Sequence, residues 1–234
     1  MLLSNFKPHA IMFTYEKKSE NKIIMKELYR TVEREASAEI IEKRSRFIAA
    51  VKPVASEQEA LEFLNSLRQE YWDAAHNVYA YIIEENNIMR YSDDGEPSGT
   101  AGMPVLDILK KEGLTNLIVV VTRYFGGILL GTGGLVHAYS KSAKAGVTAA
   151  GITDMALCRE LTVSCDYTLL GKIQNELHNM EVIIGETVYK DNVEIPLYVP
   201  VGEYDRVKAA IVEITNAKAF LKDGDTAYHR RPVI

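Results

Sequence analysis

The stretch "TRYFGGILLGTGGLVHAYSKSAKAG", Thr122 to Gly146, sets five glycines within nine residues between an apolar run and a lysine-bearing segment. The run before it, "TNLIVVV", is β-branched and uncharged, the composition of a strand buried on both faces. After "TGG", alanine-rich sequence to about Ala150 suits a long helix. The stretch therefore reads as strand, bare turn, helix. Glycine has two uses there: it lets the chain bend sharply, and it lets a ligand approach the peptide groups. The residues leave both open.

On the N-terminal side, "LYRTVEREASAEIIEKRSRFIAAVKPV" reads as two strands, the second ("RFIAAVKPV") ending at Pro53. "SEQEALEFLNSLRQEYW" reads as a helix, with Ser56 as N-cap and Glu59 at the capping-box position. Its Ala60, Leu61, Leu64 and Leu67 fall at helical spacing. "HNVYAYIIE" alternates as a strand does, and "ENN" turns it into "IMRYS". "DDGEPSGTAGMP" is a loop by composition, and "MPVLDILKKEG" a helix with Pro104 near its start and Gly113 as C′ residue. Beyond "GITD" the order is strand, helix, hairpin, helix, strand, which is the order of a split-βαβ, ferredoxin-like domain. The fold class is α+β in two domains, 25–152 and 156–228, after an N-terminal extension of residues 1–24 that holds the polar run "EKKSENK".

Composition narrows the function. At 234 residues, 47% hydrophobic and 25% charged, the chain suits a soluble two-domain protein. No apolar run approaches the ~20 residues that span a bilayer, and the first residues lack a secretory cleavage pattern. Cys158 and Cys165, seven apart on one expected strand, point to opposite faces and do not pair; a reducing cytoplasm fits. The net charge of −5 argues against non-specific coating of nucleic acid. The charge is uneven, however. The 41 residues from Gly113 to Thr153 hold none of the 32 acids, where roughly six would be expected, and carry Arg123, Lys141 and Lys144. Either a buried strand and helix exclude charge, or this segment faces an anion.

The glycine stretch is neither a Walker A loop, since Thr132 and Gly133 stand where Lys and Ser/Thr belong, nor a Rossmann fingerprint, since Val136 replaces the third glycine. A glycine-rich turn that opens a helix still presents free N–H groups and the positive end of the dipole. Gly126, Gly127, Gly131, Gly133 and Gly134 form that turn; His137, Lys141 and Lys144 follow at i, i+4 and i+7 on one helix face, and Arg123 and Tyr124 precede it. A second concentration is the acidic loop, where Asp93, Asp94 and Glu96 suggest magnesium or calcium but fit no EF-hand, and where Asp-Gly is also ordinary turn chemistry. Arg123 either pairs with this loop or stays free for a ligand. Ser98 and Thr100, before a helix, make a second anion-binding N-terminus, and His76 at a strand entry reads as structural or as a base. No G-x-S-x-G or electropositive cysteine supports a nucleophilic hydrolase.

Together "SDDGEPSGTAGMP", "VVVTRYFGGILLGTGGLVHAYS" and "AHNVYAY" resemble the YigZ/IMPACT family over roughly residues 25–225. The resemblance implies an N-terminal domain similar to domain IV of elongation factor G and a C-terminal domain similar to domain V. It also implies translation regulation, since the family's eukaryotic members compete for an activator of a stress-responsive kinase. The chain departs from the family pattern at His137, where arginine is expected. Two functions follow. The first is a non-enzymatic binding module whose partner is RNA, the ribosome or a translation-related protein, with no cofactor. The alternative is a nucleotide- or phosphate-binding enzyme using the glycine-rich helix entrances and the acidic loop with magnesium.

Overall fold

The computed structural model describes residues 26–231, so the expected extension 1–24 lies outside the described residues. The described residues divide into two compact units, one formed by Tyr29–Thr153 and the other by residues 154–231 together with residues 26–28. Both mix helix and sheet, and the fold is a two-domain α+β fold.

The chain runs β1 (Leu28–Val32), β2 (Ala36–Glu42), β3 (Ser45–Pro53), α1 (Glu57–Glu70), β4 (His76–Ile83), β5 (Ile88–Ser92), α2 (Gly102–Lys111), β6 (Leu117–Tyr124) and α3 (Gly131–Ala150). Strands of the first unit pair antiparallel in the order β2-β3-β6-β4-β5. Central β6 is buried from Leu117 to Arg123, as its β-branched run predicts. Val105 and Leu109 of α2 and Ala138, Tyr139 and Val147 of α3 cover one sheet face over Phe47, Val78 and Val121. Phe63, Leu64 and Leu67 of α1 cover the other over Tyr81, Ile118 and Val120.

Three expectations change. The first segment makes three strands, not two, because the expected first strand is interrupted at residues 33–35, where the Glu33 amide donates to the Gly151 carbonyl (3.0 Å). The expected break before the last strand is a two-residue turn at Lys43 and Arg44, with φ of 43° and 67°. Such a turn ordinarily announces itself with Asn or Gly; here neither is present. In α1, Ser56 Oγ accepts from the Glu59 amide (3.2 Å) as expected, while Leu61 is exposed and Phe63 takes its place in the core. Finally, α3 begins at Gly131, so "TGG" lies in its first turn rather than before it.

The second unit continues with β7 (Ile152–Cys165), α4 (Tyr167–Leu177), β8 (Ile183–Ile184), β9 (Val188–Tyr189), β10 (Val193–Pro200), α5 (Tyr204–Thr215) and β11 (Phe220–Arg230). β7 pairs antiparallel with β11 on one side and β10 on the other, and β8 and β9 pair with β10, the strand order of a split-βαβ unit. The expected hairpin strand is broken into β8 and β9 opposite Pro196. Gly185 N–H donates to the Pro196 carbonyl (2.7 Å), and a residue's N–H and C=O point the same way, so the donor that proline lacks faces this edge. Cys158 and Cys165 are free, buried thiols on β7, and burial pushes the Cys158 thiol up to about 11. Among the described residues no helix is long and apolar enough to cross a membrane.

Candidate functional site

Register builds one row across the first sheet: His76 of β4, Arg123 of β6, Phe47 of β3 and Ile40 of β2. This row faces α3, and Arg123 is therefore interior, 5% exposed. Its Nη1 donates to Glu96 Oε1 at 2.5 Å, and its guanidinium lies 5.4 Å from the centroid of the Phe47 ring. Tyr139 of α3, fully buried, donates its hydroxyl to the same carboxylate oxygen (2.7 Å); burial and then the Glu96 charge push that phenol far up. Arg123 and Glu96 thus pair inside the unit, while the buried Arg123 Nε has no hydrogen-bond partner among the described residues. Of the two roles open to Arg123, the structure shows pairing with the acidic loop, which corrects its placing among the anion-binding residues, and Tyr139 is the member the sequence reading missed. A tyrosine in an alanine-rich helix gives no sign that it reaches a loop carboxylate.

The acidic loop is likewise turned inward. Asp93 Oδ1 accepts from the amides of Ala101 (3.0 Å) and Gly102 (2.8 Å), and Oδ2 accepts from Gly99 (2.9 Å). A side-chain carboxylate therefore occupies the entrance of α2, which corrects the second anion-binding N-terminus at Ser98 and Thr100. Ser98 is exposed, and Thr100 Oγ1 donates to the Pro97 carbonyl (2.6 Å). Asp94 Oδ2 accepts from the Asn77 amide (2.6 Å) and Oδ1 from Arg68 Nη2 (3.1 Å). The three carboxylates diverge to separate donors, and among the described residues no group of three or more His, Cys, Asp or Glu could hold a metal ion. His76 Nδ1 bonds the Asp94 carbonyl (2.8 Å); a carbonyl only accepts, so that nitrogen carries the proton. Its Nε2 lies 3.8 Å from Glu96 Oε1, beyond hydrogen-bond reach.

The glycine turn has the opposite character. A Cβ on Gly126 would meet the Arg44 carbonyl at 2.1–2.2 Å, so this glycine lets the loop lie on the β2–β3 turn, and its amide donates to Ser45 Oγ (3.1 Å). By contrast, positions at Gly127, Gly131 and Gly133 open onto empty space. α3 enters through Leu130 with no side-chain cap and no acid in its first turn, and Gly131, Thr132 and Gly133 are exposed. Gly134 packs on Leu130. Beside this entrance stand Phe125, 52% exposed, and Leu129, 83% exposed. The exposed Lys43 and Arg44 of the turn under Gly126 form no ion pair among the described residues.

Further along α3 the basic stripe is neutralised. Lys141 lies 3.9 Å from Glu42 of β2, and Lys144 bonds Glu112, whose carboxyl it holds below the usual range. The acid-free segment is thus matched by acids from other elements, which corrects the free stripe; His137 is exposed on the same helix. Tyr124 alternates to the other sheet face, where its hydroxyl donates to Asp73 (2.8 Å) and Arg46 lies 5.4 Å from its ring centroid. The structure packs Gly126 on Arg44, leaves Gly127, Gly131 and Gly133 open, pairs Lys141 and Lys144 with acids, and turns Tyr124 to the other sheet face. Lys43 and Arg44 were missed because they lie some eighty residues from the glycines.

Two family profiles match the chain: the Impact N-terminal domain over residues 43–147 and a Domain of unknown function (DUF1949) over residues 163–218. The chain is 44% identical to the IMPACT family member YvyE of Bacillus subtilis, over 88% of this chain and 95% of the relative. It is 32% identical to the IMPACT family member YigZ of Escherichia coli, over 74% of this chain and 86% of the relative. A Protein IMPACT homolog of Dictyostelium discoideum is 41% identical over 42% of this chain and 29% of the relative. A solved structure titled "Crystal structure of an hypothetical protein" superposes with a TM-score of 0.55 at 30% identity, covering 84% of this chain and 97% of the other. With relatives matched across both units, the chain belongs to the IMPACT family.

Proposed function

We propose that the chain is a non-enzymatic binding module of the translation machinery and that its N-terminal unit docks on RNA, such as ribosomal RNA. The observation that carries this reading is the contrast between two helix entrances. Asp93 fills that of α2, whereas α3 opens uncapped between bare glycines, and the loop leading into it lies at Gly126 on the turn that carries Lys43 and Arg44. Backbone amides at a helix start favour a phosphate, and cations on the adjoining turn add to that field. Similarity of the two units to domains IV and V of elongation factor G belongs to the same proposal, as does a role in regulating translation. The magnesium-phosphate alternative loses its residues, because Asp93, Asp94 and Glu96 already serve amides, Arg68 and Arg123.

RNA binding by the purified protein, with and without Lys43→Glu and Arg44→Glu, tests the proposal. Salt-sensitive binding that the double variant weakens supports it. Absence of RNA binding at low salt contradicts it.

A further inference from the structure

Phe125 is a large aromatic side chain in an unusual place. It follows the last residue of β6, and more than half of its surface is exposed. The Arg123 guanidinium lies 5.7 Å from its ring centroid, so a residue bonded to Glu96 in the interior holds the ring from within. The next two residues are glycines, and a side chain at Gly127 would have nothing within 4 Å, so the loop is open at that position. Lys43 and Arg44 border the loop through the Arg44–Gly126 backbone contact. Ile128 and Leu129 extend the apolar surface by two further exposed side chains.

The charge of this patch decides between occupants. A protein interface core is depleted of charged residues and broad. This patch is narrow, interleaved with glycine, and edged by two lysine or arginine cations with no carboxylate partner among the described residues. Aromatic faces among cations suit single-stranded nucleic acid, where each base offers a π-face and each phosphate a charge. In a duplex the bases stack on one another and are not available to a side chain.

We infer that this surface is selective for single-stranded RNA, with an unpaired base stacked on Phe125 and flanking phosphates on Lys43 and Arg44. The inference rests on the RNA reading proposed above and adds the strandedness and the base contact. It depends on the exposed ring and the turn cations, not on the α3 entrance.

Anisotropy titrations with a labelled single strand of about 12 nucleotides, the matching duplex and an abasic strand of equal length test it. Wild-type protein should bind the single strand best. Phe125→Ala should weaken that binding about 5- to 100-fold, to the level of the abasic strand, and Phe125→Trp should restore it. Because Phe125 is half exposed, circular dichroism should show both variants folded. Equal affinity for duplex and single strand, or an unchanged Phe125→Ala alongside a weakened Lys43→Glu/Arg44→Glu, overturns the base contact and leaves the RNA reading standing. Failure of the wild type to bind any of the three probes at low salt overturns both.

Discussion

Glu96 places a negative charge where Arg123 places a positive one, and both lie inside the first unit. Removing one member of such a pair strands the other charge away from water, which costs about 3–5 kcal/mol. Glu96→Gln should therefore lower stability by about that amount in urea unfolding, whereas Tyr139→Phe, which deletes one hydrogen bond, should cost only about 1 kcal/mol. The glycines separate in the same way. Gly126→Ala drives a Cβ into the Arg44 carbonyl and should destabilise by about 1–3 kcal/mol. Gly133→Ala meets nothing and has no positive φ, so it should be neutral or raise stability by up to about 1 kcal/mol. Thermal melts of the two variants side by side check both. At this scale the sequence is least legible: five similar glycines hold different roles, and only the neighbouring backbone tells them apart.

Elements were easier to read because periodicity survives folding. The buried run of β6, the Ser56 cap of α1, the Gly113 end of α2 and the strand-helix order of the second unit all follow from local pattern. The failures occurred where tertiary contact overrode local chemistry. The first expected strand breaks at residues 33–35, where the Glu33 amide bonds the Gly151 carbonyl, and Pro196 of β10 breaks the neighbouring edge into β8 and β9. The site was legible only in part, since sequence marks the glycine loop but not the carboxylates that reach α2, Lys141 and Lys144 from elsewhere. Asp93 is the clearest such case. Asp93→Ala removes the acceptor for three amides ahead of and within the first turn of α2 and should cost about 0.5–2 kcal/mol in chemical denaturation.

For the whole molecule, acid and salt probe different units. In the second unit His229 stacks on Tyr198 with ring centroids 4.0 Å apart, and burial holds its pKa below the usual 6.5. The folded state thus disfavours the protonated ring that the unfolded chain accepts. This group's contribution is intact above pH 6.5 and is lost as pH falls through the depressed folded value. His229→Phe should flatten part of the decline in melting temperature between pH 7.5 and 5.5. Salt probes the proposed RNA-binding surface of the first unit. The most direct test of that surface is the slope of log affinity against log salt for a single-stranded RNA, measured for wild type and for Lys43→Ala/Arg44→Ala. Each phosphate contact on a single strand contributes a slope of about −0.7, so losing two should flatten the line by about 1.4. A slope that the double variant leaves unchanged, or binding that does not respond to salt, would contradict the account.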